Sequence, residues 1–358
     1  MAEADGPAMN GPAWWQPARH AARRGHLACR ARVVKGLRAW FDAAGFVEVE
    51  TPALQVSPGM EPHLQAFATE LRRPDGAAAM RYLHTSPEFA MKKLLVAGEP
   101  RIFQIAHTFR NAEGSDLHHP EFTMLEWYRA DADYRDIMAD CEALLAAVAA
   151  AAGIGQWRHG GRACAADAGC ERLTVADAFR RHAGIDLDPV WPAADGGRPR
   201  PAPLRALADA AGVRSDDGDD WDDLFFRIFL ERVEPCLGVD RPTILYDYPA
   251  HMAALSRLKP DRPDIAERFE LYICGLELAN AFSELTDAAE QEARFLHDQA
   301  EKRRLYGDEV PIDRDFLAAL AHGMPRAAGI ALGVDRLAML ASGADRIDQV
   351  LWVPVAAP

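Results

Sequence analysis

The residues best able to do chemistry in this 358-residue chain lie in a few short segments. Stretch 109–128, FRNAEGSDLHHPEFTMLEWY, places Arg110 at the end of an apolar run, crosses a polar loop, and enters an alternating run carrying Glu121, Glu126 and Tyr128. That layout predicts two antiparallel strands joined by a loop, with one cation and two anions pointing into one cavity. Glu126 and Tyr128, two apart on a strand, share a face; Asn280, Phe282 and Glu284 share another. Glu270 and Glu277 flank a turn at Cys274–Gly275, where a two-residue hairpin would set them on one face. Glu277 and Asn280 differ in parity, so if both line a pocket a β-bulge must lie between them. Arg336 opens a terminal helix, whose N-terminus adds positive potential. Buried acids need a partner cation, so a pocket holding several of them suits an amine-bearing ligand.

Other elements must hold these residues in place. Apolar residues recur at Val33, Leu37, Trp40, Phe41 and Ala44, which predicts an amphipathic helix over 26–44 that Gly45 stops. FVEVETPAL follows as an alternating strand. Tyr134, Ile137, Met138, Cys141, Leu144, Leu145 and Val148 form the buried stripe of a second helix within 131–152. Segment 153–223 reads as a loop-rich insertion with short helices; its acidic run, DDGDDWDD, reads as solvated surface or the start of a helix. Strands return at TILYDYPA and in a hairpin turning at Gly275. Asp287 with Glu290 forms a capping box for a helix that Gly307 ends. Residues 1–25 read as a disordered or loosely ordered N-terminal segment, and 26–358 as one catalytic domain.

Composition narrows the function classes. Hydrophobic content of 49% and charged content of 26% are ordinary for a globular chain. No apolar run is long enough for a membrane span, and the N-terminus is too polar for a signal peptide. The six cysteines include no CxxC pair and read as reduced packing residues of a cytoplasmic enzyme. Cys164 and Cys170, with His159 nearby, fit no zinc spacing. A net charge of −14 argues against a wide nucleic-acid footprint. The local exception is 19–38, where Arg19, Arg23, Arg24, Arg30, Arg32, Lys35 and Arg38 occur without an acidic residue. That run reads as a solvated helix face or as a docking patch for an acidic partner.

Stretch 109–128 resembles motif 2 of class II aminoacyl-tRNA synthetases, in the lysyl branch. LHTSPEFAMKKLL (83–95) resembles that branch's serine-proline-glutamate element, GLELANAFSELTD (275–287) a third element, and GIALGVDRL (329–337) motif 3. The first helix, its following strand and Pro52 resemble motif 1, the family's dimer interface. The resemblance implies an α+β fold, with an antiparallel sheet of roughly six or seven strands flanked by helices, and a homodimer. It implies amino-acid activation, in which a carboxylate attacks the α-phosphate of ATP in line. Arg110 would bridge that carboxylate and the α-phosphate, and Arg336 would hold the far end of the triphosphate. Glu113, His118, Phe122 and Glu277 would complete the ATP site, with Glu270 and Glu277 holding Mg2+. Glu88 would recognise the backbone-side amine, Glu126, Tyr128 and Glu284 the distal ammonium, and Asn280 the substrate carboxylate. Phe282 and Ala331 complete the substrate pocket.

Three departures from lysyl-tRNA synthetases shift the reading. Residues 1–25 are too few for the oligonucleotide-binding barrel that those enzymes carry before motif 1, so an anticodon reader, and tRNA as a partner, are not expected. Motif 3 has Ala331 where glycine is usual, and its methyl could favour an isomer with the amine shifted by one carbon. Ala112 and Leu117 replace a glutamate and an arginine in motif 2, leaving Glu113 and His118 as substitutes; Ala281 stands for another usual glycine. PEFTMLEWYR, with Trp127 for a smaller residue, and ELTDA resemble the elongation factor P lysine ligases, a paralogous subfamily. That likeness implies activation of lysine or (R)-β-lysine and its transfer to a lysine side chain of elongation factor P. Two alternatives are a lysyl-adenylate enzyme acting on tRNA and a catalytically silent paralogue used as a binding module.

Overall fold

The computed structural model describes residues 14–191, 199–253 and 255–355. Helix α1 (Pro17–Ala43) begins well before residue 26, with proline in its first turn, and stops just ahead of Gly45, whose φ is +74°. The segment expected to be loose is therefore helical from Pro17; residues 1–13 lie outside the described residues. The stretch read as one strand holds only β1 (Val47–Glu48) and β2 (Leu54–Gln55), separated by the Pro52 region. With β3 (Ala68–Arg72) and β4 (Ala78–Leu83), β2 forms a small side sheet. Helix α2 (Glu88–Ala97) then leads to the hairpin β5 (Arg101–Phe109) and β6 (Glu121–Ala130).

Helix α3 (Tyr134–Ala152) starts at an Asp133–Asp136 capping box and ends at left-handed Gly153, and its whole predicted stripe is buried. Segment 153–223 is more ordered than its composition suggests. It holds the hairpin β7 (Gln156–His159) and β8 (Arg162–Ala165), strand β9 (Glu171–Thr174), and helices α4 (Val175–Ala178), α5 (Pro201–Ala210) and α6 (Trp221–Ile228). Phe179, Leu204, Trp221, Phe225 and Ile228 give it an apolar cluster of its own. Strands of four residues carry too little alternation to be read from sequence. The acidic run does start a helix: Asp220 and Asp223 form the capping box of α6, and Asp216 and Asp219 pair with Arg227.

Strands β10 (Thr243–Pro249), β11 (Ile265–Ile273) and β12 (Leu276–Ser283), helices α7 (Ala288–Tyr306) and α8 (Arg314–Gly323), strand β13 (Ala327–Gly333) and helix α9 (Val334–Ser342) complete the fold. The main sheet has eight strands rather than six or seven, in the order β1-β5-β6-β13-β12-β11-β10-β9. Its six central strands are antiparallel, but β1 and β9 join the edges in parallel, a mixed pattern common where crossovers return to a sheet. One face is apolar: Phe103, Leu125, Trp127, Phe269, Ala281, Ile330 and Leu332 pack with Phe41 of α1 and Leu144 of α3. The alternate residues of the same strands face the other way. The site is built on that second face.

Candidate active site

The second face opens into a cavity of about 400 Å³. Its floor is a run of small residues on β13. Gly329 is paired with Tyr128 and Phe282, Ala331 with Glu126 and Asn280, and Gly333 with Met124. Glycine at 329 is a steric requirement, because a Cβ there would stand 2.3 Å from the Tyr128 ring and 2.7 Å from Glu284 Oε1. The predicted bulge is present: the β11–β12 register slips between Leu271 and Tyr272, leaving Leu278 unmatched, so both Glu277 and Asn280 reach the cavity. The turn between these strands has Cys274 and Gly275 at φ +55° and +75°, the left-handed pair of a two-residue hairpin.

Twelve of the expected residues line this cavity: Glu88, Arg110, Glu113, His118, Phe122, Glu126, Tyr128, Glu277, Asn280, Phe282, Ala331 and Arg336. Glu284 and Glu270 do not line it. Glu284, 1% exposed, lies behind Tyr128 and Gly329. Glu270 accepts hydrogen bonds from Tyr248 (2.6 Å), Tyr272 (2.5 Å) and Arg268 (2.6 Å). It shares a face with Glu277 as expected, because Glu277 pairs with Tyr272, two positions from Glu270 on β11, but its oxygens are taken up by those three donors. Glu121 also leaves the expected cavity: five positions from Glu126, it falls on the opposite face and lies 3.3 Å from His107 Nδ1.

The two ends of the cavity differ in charge. At one end Arg110 lies over Phe122, its guanidinium carbon 5.1 Å from the ring centre, and its Nε has no hydrogen-bond partner. Arg336, at the N-terminus of α9, donates to the Glu277 carbonyl (2.8 Å) and to His118 Nε2 (2.8 Å). Accepting there leaves the His118 Nδ1 proton for Ser115 Oγ, 2.9 Å away. Burial first, and Arg336 second, lower the His118 pKa and keep the ring neutral. Burial, reinforced by Glu270, raises the Glu277 carboxyl to about 7. Ala112, at φ +58°, makes the tight turn that aims Glu113 inward.

The other end is acidic and dry. Glu126 is fully buried and accepts from Ser86 (2.5 Å) and Tyr128 (2.8 Å). Burial, followed by the charge of Glu88, raises its pKa to about 8. Burial also raises Glu284 to about 8, against the pull of Lys92. Lys92 forms ion pairs with both Glu88 and Glu284, and Glu284 Oε1 has no hydrogen-bond partner. A buried carboxylate oxygen without a donor is costly, and an incoming ammonium would relieve that cost.

An arginine-bearing end and an acidic end on one largely antiparallel sheet stand where the sequence motifs fall, and comparison with known proteins decides the family. The sequence matches the family of class II tRNA synthetases (D, K and N) over residues 14–357. This chain belongs to that family. It is 41% identical to the elongation factor P–(R)-β-lysine ligase of Sodalis glossinidius, covering 90% of this chain and 92% of that protein. It is similar to the ligases of the same name from Edwardsiella ictaluri, at 40% over 90% and 92%, and Proteus mirabilis, at 39% over 95% and 97%.

Within this class II family member, sequence reasoning missed several residues of the site. Ser86 and Lys92 lie inside the quoted 83–95 element, and the Glu88–Lys92 spacing of four on a helix was a visible signal. Glu61 lines the cavity from a loop, with Oε2 buried and unpartnered; nothing local announces it. Asp335, beside Arg336, ion-pairs with Arg30 and accepts from the Thr123 amide (2.6 Å), tying α9 to α1 and β6. Arg23 donates to the carbonyls of Asp348 and Trp352. The basic run of α1 is therefore partly internal structure, because Arg23 and Arg30 are both buried. Among the described residues no group of three or more His, Cys, Asp or Glu side chains is placed to hold a metal ion, at Cys164, Cys170 and His159 or elsewhere, and no helix is long and apolar enough to cross a membrane.

Proposed function

We propose that this protein activates lysine or (R)-β-lysine with ATP and passes the acyl group from the adenylate to the ε-amine of a lysine on elongation factor P. The observation that carries this reading is the pairing of two arginines that form no ion pair among the described residues with a buried acidic pocket on one sheet floor. The names of the relatives support the same acceptor and the β-isomer. In the first step a substrate carboxylate oxygen bonds to the α-phosphorus, the bond to the bridging oxygen breaks, and pyrophosphate leaves. Arg110 neutralises the attacking carboxylate and the α-phosphate together, and Arg336 takes the far phosphates. In the second step the acceptor nitrogen bonds to the acyl carbon, AMP leaves, and the amine loses a proton. Positioning and charge neutralisation account for most of the catalysis, and no covalent enzyme intermediate is needed.

Glu113, His118 and Phe122 serve the nucleotide, with the neutral His118 ring held ready by Arg336. Mg2+ fits Glu277, whose carboxyl is held near 7 by burial and by Glu270 and would gain from a cation; the ion would neutralise phosphate charge. Glu270 reaches a metal only by exchanging one of its three donors. At the other end Glu88, Glu126, Tyr128 and Glu284 take the two amines, Asn280 the carboxylate, and Phe282 the alkyl chain. Ala331, between Glu126 and Asn280, favours the isomer with the displaced amine. Burial of Arg23 and Arg30 reduces the support that the basic run gives to the tRNA alternative. A cytoplasmic homodimer joined through the first helix and its following strands completes the proposal, supported by exposed Val47, Leu54 and Val56.

The test is the intact mass of elongation factor P after incubation with this protein, ATP and (R)-β-lysine, with bulk tRNA as competitor. A gain of one lysyl unit on the factor is expected. Charged tRNA with an unmodified factor would overturn the acceptor assignment, and absence of both products would overturn the activity.

A further inference from the structure

Lys92 is 1% exposed on α2, four residues after Glu88, and stands behind the acidic wall of the cavity rather than on it. Its ammonium joins residues from two distant parts of the chain: Glu88 at the start of α2 and Glu284 just beyond β12. It also lies 5.4 Å from the centre of the Phe282 ring, which lines the pocket. Burial works against its charge, but Glu284 and Glu88 outweigh that and keep it protonated. No other lysine or arginine ion-pairs with Glu88, Glu126 or Glu284 among the described residues.

We propose that Lys92 is a positioning and specificity-determining residue: a resident ammonium that occupies one oxygen each of Glu88 and Glu284 and so fixes how many positive charges the pocket accepts from a substrate. The proposal rests on the reading of this end of the cavity as the amine pocket. Three carboxyl groups share one resident lysine; Glu126 and Glu284 hold protons near neutral pH, and the two ammonium groups of a diamino acid can take the place of those two protons. A substrate with one ammonium leaves a buried carboxylate unanswered, and a dry pocket penalises that strongly. Lys92 therefore sets selectivity without touching the substrate. Tyr128 stays neutral, because burial and then Glu126 push its pKa well up. Glu61 also faces Glu88, with Lys302 near its other side, where that ammonium bonds the Glu61 (3.4 Å) and Leu64 carbonyls.

The test is ATP–pyrophosphate exchange by the full chain with (R)-β-lysine, α-lysine and norleucine, in the wild type, K92M, K92R and the charge-matched K92M/E284Q. K92M should raise KM for the diamino acids by about 100-fold while KM for ATP moves less than about threefold. Its preference for lysine over norleucine should narrow, and K92R should recover most of the loss. K92M/E284Q should bind lysine better than K92M, because it removes one charge of each sign; it carries the test if K92M does not fold. A K92M enzyme with unchanged lysine KM, or a double variant no better than K92M with both KM values raised together, would overturn the proposal. A wild type that exchanges pyrophosphate with neither isomer would overturn the amine-pocket reading itself; exchange by the wild type with an unaffected K92M overturns only the role of Lys92.

Discussion

The two ends of the cavity solve the problem of buried charge in opposite ways. At the arginine end Arg110 and Arg336 directly contact an aromatic ring, a carbonyl and an uncharged histidine; they form no ion pair among the described residues and feel the Glu277 carboxyl at longer range. At the acidic end three acids already have partners within the protein, Glu126 in Ser86 and Tyr128, Glu88 and Glu284 in Lys92, although Glu284 Oε1 and Glu61 Oε2 stay unpartnered. A guanidinium at a partly open cavity keeps water until a polyphosphate displaces it, so it needs no internal counter-charge. A carboxylate in a dry pocket has no such reserve and must hold a proton or a resident cation. On the function proposed above, ATP would meet a field ready to act, whereas the amino acid would have to displace internal bonds and protons, which would make the acidic end the selective one.

Substitutions at the two ends should separate this comparison cleanly. The largest effect is expected for Arg110→Ala, which should lower the rate of adenylate formation by at least about 1000-fold. Pyrophosphate exchange measures it, and retained activity would remove Arg110 from the phosphate end. Next comes Glu284→Gln, which should raise KM for lysine by about 100-fold with little change for ATP. Equal losses for both substrates would mean that the two ends are not independent. Ala331→Gly should move the ratio of kcat/KM values for (R)-β-lysine and α-lysine by about tenfold towards α-lysine, the effect of roughly one methyl group. An unmoved ratio would show that the floor does not choose the isomer.

The smallest effect concerns stability. Glu126 keeps its proton up to about pH 8 when folded, against an ordinary value of 4.5. Folding therefore binds a proton between those values, and the associated stability is present at low pH and lost as pH rises through 8. The melting temperature of ligand-free protein should fall between pH 5 and 8, and Glu126→Gln should flatten that fall by about 1 kcal/mol or more. Parallel pH profiles for the two proteins would show that Glu126 ionises freely and that the amine end is wetter than its burial indicates.

How legible each part was follows from the range of the interaction behind it. The bulge between Glu277 and Asn280 was readable because alternation on a strand is a local rule, and a parity error must be absorbed locally. The same rule, applied too generously, put Glu121 in the cavity, although five positions from Glu126 place it on the other face. Strands β7, β8 and β9 were missed because four-residue strands have little pattern; β7 and β8 pair with each other, and the partner of β9 lies about 70 positions along the chain. Glu270 was readable as a carboxylate but not as one saturated by Tyr248, Tyr272 and Arg268, because hydrogen-bond satisfaction depends on neighbours brought in by the fold.

By itself, the sequence determined the family, the antiparallel core of the sheet, and most of the charged residues that line the cavity, because motif order and strand alternation are written in the chain. Only the tertiary structure decided which of those charges are spoken for. Lys92 meets Glu284 across 192 positions, Asp335 meets Arg30 across 305, and Arg336 meets His118 across 218. Desolvation, which pushes Glu126 and Glu284 to about 8, belongs to no residue alone. It arises when distant segments close over a carboxyl group and remove its water, and no local pattern in a sequence records that event.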